Sequence, residues 1–240
     1  MSRPLVIAHR GASAYRPENT LPAYELAIEQ RADMIEIDLH AGRDGEIVVA
    51  HDAGLERLGA DGEIADRELA ELRALDVGEG EMMPRLGEVL EQFGHRVPFN
   101  LEIKQGSRGR YAGLERRTLE ALGRLDLLEP TLFSSFYDDV LRELRGLSPG
   151  ARLATLVSPR HPERAFERAA AVRSEAINPH VFLANAEFVA EAHQRGLAVY
   201  VYTVDDVDQM QRLLDLGVDG LFTNRPDRMR ALVDAPAGIA

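Results

Sequence analysis

A closed (β/α)8 barrel, the TIM-barrel architecture, is the fold that this sequence predicts, and three observations carry the prediction. Eight short apolar, β-branched runs alternate with amphipathic helical patterns along 240 residues. That many strand–helix units in this length suit a parallel sheet closed on itself with the helices outside. The first strand runs into His9-Arg10-Gly11-Ala12-Ser13, without the G-x-G-x-x-G turn that usually opens a doubly wound open sheet.

The eight barrel-strand candidates are Leu5–His9, Asp33–Leu39, Val97–Lys104, Thr131–Phe136, Arg152–Val157, Glu175–Asn178, Ala198–Val204 and Gly220–Thr223. A ninth run, Glu46–His51, follows the turn Arg43-Asp44-Gly45 and reads as a hairpin partner of the strand before it. In Leu21–Arg31, the residues Leu21, Tyr24, Ala27 and Ile28 share a helical face; in Asp206–Leu216, Val207, Met210, Leu213 and Leu214 do the same. Asn19 and Asn185 stand where helix N-caps belong, and Gly94, Gly196 and Gly217 stand as helix stops. The stretch from His51 to Phe99 breaks the rhythm. It holds no barrel strand, two helical patterns (Asp66–Leu75 and Leu86–Phe93) and four glycines, Gly59, Gly62, Gly78 and Gly80. It reads as a small insertion, at about 53–84, over the mouth of a single 1–240 barrel domain, plus the helix that returns to the third barrel strand.

Composition bounds the function. With 45% apolar residues the chain can bury a large core, and 28 basic against 40 acidic residues give a net charge of −12. That balance argues against nucleic acid or an anionic membrane as a standing partner. There is no cysteine, so neither disulfides nor thiolate chemistry is available. The opening run, Leu5-Val6-Ile7-Ala8, is too short for a signal peptide, and no segment approaches the ~20 apolar residues of a membrane span. The expectation is a soluble, cytoplasmic protein. Lys104 is the only lysine; every other basic residue is arginine. A lysine kept under such a bias points to a place where a compact ammonium cannot be exchanged for a planar guanidinium.

Catalytic groups of such barrels sit at the C-terminal ends of strands, and the early strand ends here are unusually polar. Glu36 and Asp38 lie two apart on one strand, Glu102 and Lys104 two apart on another, so each pair shares a face. If that face is the barrel interior, three carboxylates and an ammonium converge near the mouth. Carboxylates that close would be driven toward protonation unless a cation held them. An all-oxygen ligand set suits one hard divalent ion, Mg²⁺ or Ca²⁺. His9 and His51 end strands beside these charges and can divide the acid and base roles of a transfer at phosphorus. Arg10 supplies a fork for phosphate oxygens. Glu18, beside Asn19, either rigidifies its loop or approaches the cation. His95, His161 and His193 lie on loops or helical surfaces and receive no role.

The ordered set His9-Arg10-Gly11, Pro17-Glu18-Asn19-Thr20, Glu36-Ile37-Asp38, His51-Asp52 and Leu101-Glu102-Ile103-Lys104 resembles the glycerophosphodiester phosphodiesterase family. The resemblance continues through Ser135-Phe136, Tyr202-Thr203-Val204 and Gly217-Val218-Asp219-Gly220-Leu221-Phe222-Thr223-Asn224-Arg225-Pro226, and so covers nearly the whole chain. It implies a (β/α)8 barrel and hydrolysis of a glycerophosphodiester to glycerol 3-phosphate and an alcohol. It implies a divalent metal on Glu36, Asp38 and Glu102, His9 and His51 as acid and base, and phosphate contacts from Arg10 and Lys104. It further implies attack by the glycerol's own 2-hydroxyl and a cyclic phosphate that water then opens. Which histidine starts as base stays open. Tyr202 stands where the family usually has tryptophan and Asn224 where it often has aspartate; the first touches the cleft wall, the second a local hydrogen bond, and neither is expected to touch the metal or the histidines. A lysophospholipase D-type activity, with Met82, Met83 and Phe93 as an apolar rim, is one alternative, and a catalytically silent barrel binding a phosphometabolite is another. A metal-dependent sugar isomerase or aldolase would share fold and metal, but it needs no pair of histidines flanking a cation pair of the Arg10 and Lys104 kind.

Overall fold

In the computed structural model, which describes residues 3–235, the apolar runs become nine strands. These are β1 (Leu5–His9), β2 (Met34–Ala41), β3 (Ile47–Val49), β4 (Phe99–Ile103), β5 (Leu132–Ser135), β6 (Arg152–Val157), β7 (Ala176–Pro179), β8 (Ala198–Val201) and β9 (Gly220–Thr223). All but β3 pair in parallel in the order β1-β2-β4-β5-β6-β7-β8-β9, and β9 returns to β1 with Val6 opposite Leu221, closing an eight-stranded barrel. The strand β3 pairs antiparallel with the end of β2, Leu39 opposite Val49. Helices α1 (Leu21–Glu29), α2 (Leu69–Leu72), α3 (Leu86–Phe93), α4 (Leu114–Arg124), α5 (Asp138–Leu147), α6 (Ala165–Ala171), α7 (Ala186–Gln194), α8 (Val207–Asp215) and α9 (Pro226–Asp234) fill the connections.

Side chains alternate along each strand, so one set meets the helices and the other fills the barrel. Ile7, Met34, Leu132, Ala154, Ala176, Tyr200 and Phe222, one from each of seven barrel strands, pack together as an apolar plug. Their neighbours in sequence, such as Val6, Ile35, Phe133 and Ile177, pack in the helix-facing clusters instead. The residues two positions beyond the plug, among them His9, Glu36, Ser134, Leu156 and Tyr202, line the pocket above it. The fold thus lifts the residues after the apolar layer into an open mouth.

Several boundaries differ from the sequence reading. Thr20, not Asn19, caps α1, its hydroxyl accepting the Ala23 N–H at 3.4 Å. Asn19 itself sits in the left-handed region, φ 58°, and turns inward. Asn185 does cap α7, accepting the Phe188 N–H at 2.9 Å. Gly196 and Gly217 follow their helices with φ of 74° and 82°, a conformation that costs glycine little. Gly94 ends α3 while still right-handed. The pattern Asp66–Leu75 yields only the short α2, because Arg67 and Glu68 are extended and Glu68 forms a capping box with Glu71.

Between β3 and α3 the chain makes two 3-10 turns, Glu56–Leu58 and Ile64–Asp66, before α2. Val48, Leu55, Ile64, Leu72 and Met83 give this segment a buried apolar cluster of its own, each such side chain worth about 1.5–3 kcal/mol on leaving water. The returning strand-like residues cover the outer edge of β3: Val49 donates to the Pro84 carbonyl at 2.9 Å, and Val48 bridges Arg85. Met83 and Phe93 are fully buried, so of the three rim candidates only Met82 is exposed. No helix among the described residues is long and apolar enough to cross a membrane.

Candidate active site

Register brings the carboxylates together. Asp38 of β2 lies opposite Glu102 of β4, and Glu36, Asp38 and Glu102 each offer an oxygen within 4.8 Å of the others, all three buried. Burial, with Asp38 and Glu102 alongside, pushes the Glu36 carboxyl well above the usual carboxylate range. Burial also raises Glu102, against the opposing pull of Lys104. Asp38 goes the other way: burial would raise it, but Lys104 and Arg10 outweigh that and hold it low. Glu36 Oε1 is buried without a hydrogen-bond donor among the described residues, and Asp38 Oδ1 has only the Lys104 ammonium beside it. An orphaned oxygen in a cluster of three facing carboxylates fits a hard cation, which would satisfy it and offset the repulsion.

Two cations already lean on this cluster. Lys104 Nζ lies 2.8 Å from Glu102 Oε1 and 3.2 Å from Asp38 Oδ1, and these charges raise its pKa although burial opposes them. Arg10, in the left-handed region at φ 59°, donates its backbone N–H to the Glu36 carbonyl at 3.0 Å and to Glu36 Oε2 at 3.1 Å. Its guanidinium spans Asp38 (3.0 Å) and Glu18 (2.9 Å). Glu18 stands between Arg10 and Arg57, 3.6 Å away, and is outside the three-carboxylate group. The inner contact belongs to Asn19, whose Nδ2 donates to Asp38 Oδ2 at 2.9 Å while its Oδ1 accepts from Tyr24 at 3.3 Å.

The histidines flank the cluster with different supports. Contrary to the sequence expectation, Asn224 does touch a histidine: barrel closure brings its Oδ1 to 2.8 Å from His9 Nδ1. The Asn224 amide is oriented by Asp205, which accepts its Nδ2–H at 2.6 Å and its backbone N–H at 2.8 Å. Oδ1 therefore accepts from His9, Nδ1 carries the proton, and Nε2 is the unprotonated nitrogen. Burial, helped by the Arg10 charge, lowers the His9 pKa to about 4. His51 Nδ1 instead meets the Asp52 carboxylate at 2.7 Å, and Arg57 holds the other Asp52 oxygen at 3.0 Å. The His51 carbonyl accepts from His40 Nε2 at 3.2 Å, and His40 Nδ1 meets the Tyr111 hydroxyl at 2.7 Å. His40 is buried, which lowers its pKa to about 4 and keeps it neutral.

These groups share a pocket of about 270 Å³ lined by His9, Arg10, Glu36, His51, Glu102 and Lys104 on one side. Phe136, Leu156, His180, Tyr202 and Phe222 make the opposite wall. Tyr202 packs edge-on against Phe136 and His180, ring centroids 5.9 and 5.4 Å away, and its hydroxyl donates to the Val157 carbonyl at 2.9 Å. Sequence reasoning misses the contacts of His40, His180, Asn19 and the Asp205–Asn224 pair. His40 continues the same-face series Glu36, Asp38, His40, and His180 continues Asn178, so the signal lies in extending the alternation past the expected strand ends.

A polar mouth rich in paired charge over an apolar plug, on a closed (β/α)8 barrel, has the layout of a barrel enzyme with its active site at the C-terminal ends of the strands. The chain matches the Glycerophosphoryl diester phosphodiesterase family over residues 9–228. It is 35% identical to a glycerophosphodiester phosphodiesterase of Caldanaerobacter subterraneus, covering 95% of this chain and 97% of that one. A Bacillus subtilis glycerophosphodiester phosphodiesterase is 33% identical, with 94% of this chain and 85% of that one covered. Among solved structures, an Oleispira antarctica phosphodiesterase in complex with the product sn-glycerol-3-phosphate superposes with a TM-score of 0.85 at 32% identity, covering 97% of both chains. The chain belongs to the glycerophosphodiester phosphodiesterase family and is a phosphoric diester hydrolase.

Proposed function

We propose that this enzyme cleaves glycerophosphodiesters to glycerol 3-phosphate and an alcohol with one divalent cation, Mg²⁺ or Ca²⁺, held by Glu36, Asp38 and Glu102. Residues 3–235 act as one catalytic unit, with the segment around 53–84 beside the mouth. The observation that carries the reading is the buried cluster of three carboxylates, with Glu36 Oε1 lacking any donor among the described residues, between two histidines whose hydrogen bonds differ in kind. When bound, the cation neutralises the carboxylates and offsets charge on the phosphoryl oxygens. Arg10 and Lys104 orient and stabilise those oxygens.

The supports of the histidines favour one division of labour. His9, buried and held by a neutral amide, is the base: Nε2 takes the proton of the attacking hydroxyl as the new P–O bond forms. His51, whose Nδ1 is oriented by the Asp52 carboxylate, is the acid: it gives its proton to the oxygen of the departing alcohol as that P–O bond breaks. If the 2-hydroxyl of the glycerol attacks, as the family resemblance implies, the cyclic phosphate is opened with the roles reversed. Neutral His51 then takes a proton from water, and protonated His9 returns one to the 2-oxygen, so both histidines end as they began. With Met83 and Phe93 buried, the expected apolar rim for an acyl chain is missing two of its three members, and the glycerophosphodiester reading stands ahead. Turnover of a panel of glycerophosphodiesters and lysophospholipids, with chelator and with added metals, tests it; undiminished turnover in excess chelator would overturn the metal assignment.

A further inference from the structure

Beyond His51 lies a second cavity, of about 350 Å³, formed where the segment after β3 meets the barrel mouth. His51 lines both this cavity and the catalytic pocket. On the reading above, the residue that protonates the departing alcohol borders both spaces, so the second cavity lies beside the point from which that alcohol leaves.

The cavity's chemistry is specific. Its floor is apolar, with Leu55 and Met83 fully buried and Val77 beside them. Its wall carries three carboxylates, Glu18, Asp52 and Asp76, against a single guanidinium, Arg57. Arg57 is committed to two of the three, Asp52 at 3.0 Å and Glu18 at 3.6 Å. Asp76 has no cationic partner among the described residues. Its Oδ1 accepts the N–H groups of Gly78 (2.7 Å) and Gly80 (3.1 Å), which fix the carboxylate in the turn. Among the described residues, no Phe, Tyr or Trp lines the space.

We propose that this cavity is the head-group subsite and that it selects a primary ammonium, as in glycerophosphoethanolamine; the proposal rests on the reading of His51 as the acid. An excess of negative charge around a partly apolar space favours a cation at its rim. An ammonium brings three hydrogen-bond donors to Asp76, while the two carbons behind it cover the apolar floor. A quaternary ammonium is best recognised by aromatic faces, which this cavity lacks. A neutral polyol gains no ion pair.

The test is the steady-state kcat/KM of the metal-loaded full chain on glycerophosphoethanolamine, glycerophosphocholine, glycerophosphoglycerol and glycerophosphoinositol. The ethanolamine ester is expected to lead. Asp76→Asn should lower its advantage over the glycerol ester by about threefold to fivefold, the worth of a partly screened ion pair. Asp76→Lys should reverse the preference, and Arg57→Gln should increase it. A ratio of two substrates cancels losses in folding or metal loading, since both share the glycerophosphate half. A ratio unmoved by Asp76→Lys, or a wild-type preference for the choline or glycerol ester, overturns the head-group assignment alone. No turnover of any of the four esters overturns the reading beneath it as well.

Discussion

The two halves of the barrel contribute different chemistry to one mouth. Strands β1, β2 and β4, with the β3 hairpin, bring His9, Arg10, Glu36, Asp38, His51, Glu102 and Lys104. Strands β5 to β9 bring Ser134, Phe136, Leu156, Tyr202 and Phe222, with His180 from the loop after β7. Burial lowers the pKa of His180, so this second wall carries no standing charge. One contact that crosses the division reaches a histidine: closure of β9 onto β1 sets Asn224 against His9 across 215 residues of sequence. The charged side chains of the mouth thus come from one continuous stretch, while the support of His9 and the uncharged wall come from the other. The charged half should tolerate substitution least.

The largest expected effect follows from removing either histidine. His9→Ala or His51→Ala should reduce turnover by roughly 10²–10⁴-fold, the usual worth of a positioned acid or base, with the melting temperature little changed. A variant keeping near-native turnover would remove that histidine from the mechanism. Next comes the carboxylate cluster. Glu102→Ala should weaken divalent-cation binding, read by calorimetry, beyond the roughly 10–100-fold that a lost outer-shell partner costs. Lys104→Arg should keep the fold and most metal binding yet lose at least ~10-fold in turnover, about 1.4 kcal/mol of transition-state stabilisation. Unchanged kinetics would make the lone lysine an accident of composition.

The crossing contact is tested by Asn224→Asp, which sets a carboxylate against His9. His9 is now neutral above a pKa of about 4; a neighbouring negative charge raises that pKa, so less of the free base is present in mild acid. The acid limb of the kcat/KM profile should move to higher pH, and a limb that stays in place would count against His9 as the base. The smallest effect is expected from the uncharged wall. Tyr202→Phe removes the hydrogen bond to the Val157 carbonyl and should cost about 1 kcal/mol of stability, with turnover within about threefold of wild type. A large loss of turnover would mean that the second half does more than shape the pocket.

Much of the charged half can be read from alternation alone. Pairs two apart, Glu36 with Asp38 and Glu102 with Lys104, announce a shared face, and the register of β2 against β4 joins them. The same rule stops short elsewhere. A second strand read as ending at Leu39 leaves out His40. Alternation carries the series Glu36, Asp38 one step further, to the residue that holds the His51 carbonyl. Asn19 looks like a helix cap because local pattern favours it there, while its partner Asp38 lies on another element. Asn224 offers no local signal, since its meaning depends on barrel closure and on Asp205. Contacts that cross the barrel are invisible to a reading built on neighbours in sequence.

The antiparallel strand β3 has a consequence of another kind. A closed barrel exposes no strand edge, but a hairpin strand added outside it would offer one row of free backbone groups to another chain. Here the chain returns through Pro84 and Arg85 to occupy that row, with Val49 donating to the Pro84 carbonyl. The segment that borders the mouth therefore also guards the molecule against edge-to-edge self-association.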